Sequence, residues 1–168
     1  MMLVAYLRNI GEFELREVPT PKCGDDEILL KVMACAICGT DIRIFSHAHR
    51  RIKLPWIIGH EVSGIVVEIG KEVQQRFPQI KIGDRVQVAP GMACGKCNYC
   101  LRGLVCPYME AIGYEYSGCF AQYLLIPWNA IVGNNLIPIP EDVSFAEASL
   151  VEPISCVING QEMMGRVN

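Results

Sequence analysis

Four cysteines lie in one short stretch: Cys94, Cys97 and Cys100 in two successive C-x-x-C steps, then Cys106. A C-x-x-C step lets two sulfurs converge on one ion from a tight turn, and four thiolates complete the tetrahedral shell that zinc prefers. A closed four-sulfur set leaves no position for substrate, so its chemistry is structural, contributing on the order of 10 kcal/mol to local folding. An iron–sulfur cluster is the chemical rival, but only one such set is present. Unligated thiols are the plainer alternative, and four exposed ones would be an oxidation hazard. A second group is dispersed. Cys38 and Asp41 stand before a basic loop, Arg50–Lys53, and Gly59, His60 and Glu61 follow it. Taken singly, such residues are more often packing than ligands. Together they offer a thiolate, an imidazole and a carboxylate, a borderline-soft set suited to zinc. Glu152, directly before Pro153, adds a carboxylate at an expected helix start, where a helix-dipole interaction is the plainer explanation. The chain has 9 cysteines, and Cys23, Cys35, Cys119 and Cys156 read as small buried hydrophobes.

The chain that must position these groups has 168 residues, 51% apolar and 20% charged, with net charge −3. That composition excludes intrinsic disorder, and the length suits about one domain. The slight acidity and the lack of a Lys/Arg block argue against a nucleic-acid partner. No apolar run approaches a membrane span. Met1–Leu7 is apolar but has neither a preceding basic segment nor a cleavage site, so it reads as a first strand and the expected location is cytoplasmic. Clustered cysteines in that compartment hold metal more readily than disulfides. Short β-branched or apolar runs predict strands at 2–7, 13–18, 27–35, 62–69, 85–89 and 120–126, bounded by turn residues. Such spacing suggests a barrel or sandwich. Thr40–Ser46 predicts a short helix opened near Thr40 or Asp41. Ser144 and Glu147 form a capping box, and a second helix is expected from Pro153 to about Met164. Neither G-x-G-x-x-G nor a Walker-type loop occurs, so no nucleotide-phosphate cradle is recognisable.

These motifs together resemble the catalytic domain of the zinc-dependent medium-chain dehydrogenases, especially the sorbitol and threonine dehydrogenase branch. Gly59, His60, Glu61, Gly64, Gly70 and Val73 fit the family's zinc signature at each fixed position. Ile37–Asp41 resembles its first-ligand motif, Lys81–Val86 and Phe120–Tyr123 resemble family strands, and Leu150–Val157 resembles the segment bearing that branch's later Glu. The resemblance implies a mainly β fold with short helices: a GroES-like, partly open β-barrel with a zinc lobe at about 90–110 and C-terminal helices at about 144–164. All of 1–168 would belong to that domain, the nucleotide-binding domain being absent from it. Cys38 and His60 would be catalytic zinc ligands, with Glu61 and Glu152 supplying the remaining coordination directly, through water or by exchange. Thr40 would donate its hydroxyl to a proton relay, and Cys94, Cys97, Cys100 and Cys106 would hold a structural zinc.

The implied activity is oxidation of a small alcohol or polyol. Zinc, two ions per chain, acts as Lewis acid at the open site, and hydride passes to NAD or NADP. The partners implied are that substrate and further copies of the chain, without nucleic acid or membrane. The 168-residue chain alone is expected to be inactive, because it lacks the family's cofactor-binding turn. The chain departs from the pattern at two places. The Leu101–Val105 gap is two residues shorter than the family's, so either Cys106 binds with altered geometry or the lobe is partly disordered, which leaves its place as fourth ligand open. Arg43 stands where the relay often has His, and arginine does not shuttle protons. His47 and His49 are nearby substitutes, with a solvated surface position as the plainer role. A zinc-knuckle binding module and a co-chaperonin-like barrel are the competing classes. The first would need more basic and stacking residues than Lys96, Tyr99 and Arg102, and the second would need neither ligand set.

Overall fold

The computed structural model describes residues 1–165, so the last three residues of the expected 1–168 domain lie outside the described residues. Strands β1 (Met2–Asn9) and β2 (Glu12–Val18) form a hairpin. Then follow β3 (Ile28–Ala36), helix α1 (Gly39–His47), β4 (Glu61–Ile69), α2 (Lys71–Arg76), β5 (Arg85–Val88) and the two-residue β6 (Gly91–Met92). The chain continues through β7 (Glu110–Ala111), β8 (Tyr123–Ile126), α3 (Trp128–Val132) and β9 (Leu136–Pro138). It ends in α4 (Phe145–Ser149) and α5 (Val151–Met163).

The centre is an antiparallel five-stranded sheet in the order β8-β3-β4-β5-β9. Alternate residues of its strands point one way, and Ile28, Leu30, Val62, Val66, Val88 and Ile126 fill one apolar core. The β1–β2 hairpin leans on it through single bridges, Val4 with Ala121 and Leu7 with Trp56. No sheet closes on itself among the described residues, which is the partly open, mainly β arrangement expected. No described helix is long and apolar enough to cross a membrane.

Two features of this frame position the site. The β3–β4 register pairs Ala36 with Glu61, so the end of one strand abuts the start of the other. Just before β4, residues 57–59 are clasped by 118–120: Gly118, Cys119 and Phe120 donate N–H to the carbonyls of Ile57 (2.8 Å), Gly59 (3.1 Å) and Ile58 (3.0 Å). With the Phe120 amide given to Ile58 and residues 120–122 engaged with β1, β8 begins at Tyr123 and not at Phe120. The clasp also requires close backbone approach: a Cβ on Gly118 would run into the Ile58 backbone.

The helices differ from expectation at their starts. Cys38, not Thr40 or Asp41, caps α1, because the Asp41 carboxylate reaches back to accept the Cys38 N–H at 2.9 Å. Ser144 does cap α4, with Glu147 N–H donating to its hydroxyl at 3.2 Å. Pro153 lies in the first turn of α5, which opens two residues earlier than expected; proline is tolerated there because that turn's N–H groups lack helical partners. Strands β6, β7 and β9 and helices α2 and α3 have no counterpart in the sequence reading, being too short to show a period. Replacing Gly118 with alanine should destabilise the fold by about 2 kcal/mol, the cost typical of overpacking. Urea denaturation measures it, and an unchanged midpoint would show that the clasp is not tight.

Candidate metal centres

The lobe between β6 and β7 brings Cys94, Cys97, Cys100 and Cys106 within 4.8 Å of one another. Their sulfurs are 3.4 Å (Cys97–Cys100), 3.8 Å (Cys94–Cys100) and 4.0 Å (Cys97–Cys106) apart. A tetrahedral zinc with Zn–S bonds of about 2.3 Å requires sulfurs about 3.8 Å apart, so the set fits one ion. The sulfurs of an iron–sulfur cluster bind different irons and stand farther apart, which disfavours that rival. The short Leu101–Val105 gap is taken up by a 3-10 turn, Cys100–Arg102, ended by Gly103 at φ 68°. That left-handed residue turns the chain back, and Cys106 is buried within the set. Backbone N–H groups of Lys96 and Cys97 hold the Cys94 thiol down at about 6, while burial pushes Cys100 up to about 12.

The second set forms where β3 and β4 abut. Cys38 lies two residues beyond Ala36, His60 directly precedes β4 and Glu61 opens it, so donor atoms of all three lie within 4.8 Å of one another. His60 and Glu61 are buried. They line a cleft of about 590 Å³ together with Cys38, Thr40 and Glu152. Glu152, in the first turn of α5, is outside the close set but faces the same space. Arg43 and His47 are exposed, and neither they nor His49 line the cleft. His49 packs edge-on against Tyr114. Cys156, expected as a buried hydrophobe, is instead exposed on the cleft one turn after Glu152. Cys119 is buried, and Cys23 and Cys35 are half-buried.

Sequence reasoning gave Asp41 no site role. It is buried, and its Oδ1 has no hydrogen-bond partner among the described residues but lies 3.5 Å from His60 Nδ1. A carboxylate behind the imidazole holds a proton on Nδ1 and leaves Nε2 as the lone-pair donor, the arrangement usual behind metal-bound histidine. Burial opposes charge on His60, but Asp41 and the neighbouring Cys38 sulfur outweigh it and raise its pKa to about 9. The sequence signal was the three-residue spacing from Cys38. A second missed feature had no such signal. Arg51 Nε donates to Glu115 Oε1, 64 residues away, at 2.7 Å, and its guanidinium lies 4.7 Å from the Tyr114 ring centre; Arg51 and Tyr114 line the cleft. This pairing holds the Glu115 carboxyl below its ordinary range.

The chain has similar known proteins. Residues 24–141 match the alcohol dehydrogenase GroES-like domain. The chain is 38% identical over 162 residues to an L-threonine 3-dehydrogenase of Bacillus velezensis, covering 92% of this chain and 44% of that one. It is 34% identical over 164 residues to a sorbitol dehydrogenase of Bacillus subtilis, covering 94% and 44%. Among solved structures, one described as a zinc-binding dehydrogenase of Sinorhizobium meliloti bound to NADP superposes with TM-score 0.81 at 34% identity, over 97% of this chain and 45% of that one. The chain thus spans less than half the length of these relatives.

The His60–Asp41 pair yields a prediction with a definite sign. In metal-free protein the raised His60 pKa makes the pair's stabilisation complete below the unfolded value of about 6.5, and it is lost as pH rises through about 9. Asp41→Asn should flatten that dependence in denaturation experiments across pH. It should also weaken zinc at this site by roughly 10–100-fold. An unchanged pH profile would show that Asp41 does not govern His60.

Proposed function

This chain belongs to the alcohol dehydrogenase GroES-like domain family, and we propose that it forms the zinc-holding catalytic part of a dehydrogenase that oxidises a small alcohol or polyol with NAD or NADP. The observation that carries this reading is the convergence of Cys38, His60 and Glu61 at the floor of an open cleft, apart from the closed four-cysteine set. In this reading Cys94, Cys97, Cys100 and Cys106 hold one zinc, and all of residues 1–168 belong to the catalytic domain.

Cys38 and His60 hold the second zinc, with Glu61 beside them and Glu152 within the cleft as an exchanging carboxylate. Zinc bound there supplies Lewis acidity, lowering the pKa of a coordinated hydroxyl. Asp41 orients His60 and keeps its Nδ1 proton in place. Thr40 lies on the cleft, where its hydroxyl accepts the substrate proton and passes it on. The relay continues to solvent from Thr40, since Arg43 lies outside the cleft lining. Arg51, held by Glu115, and Tyr114 line the same cleft and would limit which alcohols enter.

The sequence contains no glycine-rich dinucleotide turn, so residues 1–168 on their own are proposed to bind zinc without turnover. Hydride transfer needs the nicotinamide held against the alcohol carbon, and that positioning is a large share of the rate. No residue of α5 is buried, and Ile154, Val157 and Ile158 are exposed on it. Such a surface supports self-association or cover by further protein.

The function is tested by zinc-dependent reduction of NAD⁺ or NADP⁺ in the presence of threonine and small polyols, using the full-length gene product. Absence of turnover with every such alcohol in zinc-replete protein would overturn the reading. The ligand assignment has its own test in a chelator competition. Cys38→Ala or His60→Ala should abolish the more labile zinc, whereas Glu152→Ala should only weaken it. The reverse order would contradict the assignment.

A further inference from the structure

Two thiols outside both ligand sets are in contact. Cys35 Sγ, near the end of β3, lies 2.9 Å from Cys119 Sγ, from a residue 84 positions later. Neither belongs to a described metal-ligating group. Cys119 is 1% exposed, so bulk oxidant does not reach it directly, whereas Cys35 is half-buried. The sulfurs are less than about 1 Å beyond the ~2.05 Å of a disulfide bond, so closure asks little of the backbone.

The placement of this pair gives it a consequence. Cys35 lies three residues before Cys38 on the arm that carries that ligand. Cys119 lies in the clasp, donating its N–H to the Gly59 carbonyl directly before His60. We propose that Cys35 and Cys119 are a peroxide-reactive pair whose oxidation joins the two arms holding the open metal site. The inference stands on the fold and does not depend on the substrate proposed above.

The chemistry balances with a hydroperoxide as oxidant. The Cys35 thiolate attacks a peroxide oxygen, the O–O bond breaks, and with hydrogen peroxide the products are a Cys35 sulfenic acid and hydroxide. The Cys119 sulfur then attacks the sulfenic sulfur. The S–O bond breaks, the S–S bond forms, and the Cys119 proton leaves with the hydroxyl as water. In sum, two thiols are oxidised by two electrons and one peroxide is reduced to two waters. Burial pushes the Cys119 thiol well above its ordinary pKa, which suits it to be the second, resolving partner. Its contact with Cys35 compensates for that low acidity by removing the cost of encounter. Cys35 also stands in C-x-x-C spacing with Cys38, so the competing product is a Cys35–Cys38 disulfide that would destroy the metal site.

The test is limited peroxide treatment of the zinc-loaded 168-residue polypeptide, then alkylation, non-reducing digestion and mass spectrometry, with zinc measured in parallel. The expected result is a cross-linked peptide pair containing Cys35 and Cys119, loss of both as alkylatable thiols, and unchanged zinc content. In Cys119→Ser the cross-link should vanish, and Cys35 should be trapped by a sulfenic-acid reagent such as dimedone. A Cys35–Cys38 cross-link, zinc release that precedes any Cys35–Cys119 product, or alkylatable Cys35 and Cys119 after the four-cysteine lobe has oxidised would each overturn the proposal.

Discussion

The register of β3 on β4 is the constraint on which the rest of the open site depends. Ala36 opposite Glu61 brings Cys38 beside His60 and Glu61 although more than twenty residues separate them in sequence. A slip of one residue would turn each β4 side chain to the other face. It would drive Val62 and Val66 out of the core and carry Glu61 away from Cys38. The core residues therefore resist such a slip, because Ile28 and Leu30 of β3 and Val62 and Val66 of β4 share one apolar core. The clasp of 57–59 by 118–120 adds a second restraint on the same arm, holding the backbone from which His60 projects.

The four-cysteine lobe follows a different logic. Its ligands span thirteen residues of one loop, and the flanking β6–β7 pair has only two rungs. Little apolar burial holds the loop: Cys97, Cys100 and the residues around them are half-buried or exposed, and Leu101 and Val105 are exposed. The order of this lobe thus rests on the proposed ligand set, whereas the open site is ordered by the sheet beneath it. That division matches the chemistry proposed for each. A closed set needs only to hold its ion, while an open one must present a rigid floor to a substrate.

Much of this was legible in the sequence because its signals were local. C-x-x-C spacing, the capping box at Ser144 and Glu147, and β-branched runs bounded by glycine and aspartate each report on a few neighbouring residues. The six expected strands all occur, with shifted ends. The strand ends moved where a long-range hydrogen bond intervened, as at Phe120, whose amide is given to Ile58. Asp41 illustrates a subtler limit. Its position three residues after Cys38 was visible, but its role depends on His60 Nδ1 standing 3.5 Å away, which only the fold decides. The Arg51–Glu115 pair and the Cys35–Cys119 contact are wholly long-range and left no trace in local pattern. Cys156 was misjudged for a related reason: cysteine is usually buried, but α5 has no described element packed over that face.

Two independent zinc ions are proposed for the chain, one in the closed set and one in the cleft. Elemental analysis of the purified chain, beside its Cys97→Ser variant, tests this directly. Two zinc ions per chain are expected in the parent protein and one in the variant, the latter lost on further replacing His60. A single zinc in the parent protein, or loss of all zinc on changing Cys97 alone, would contradict it.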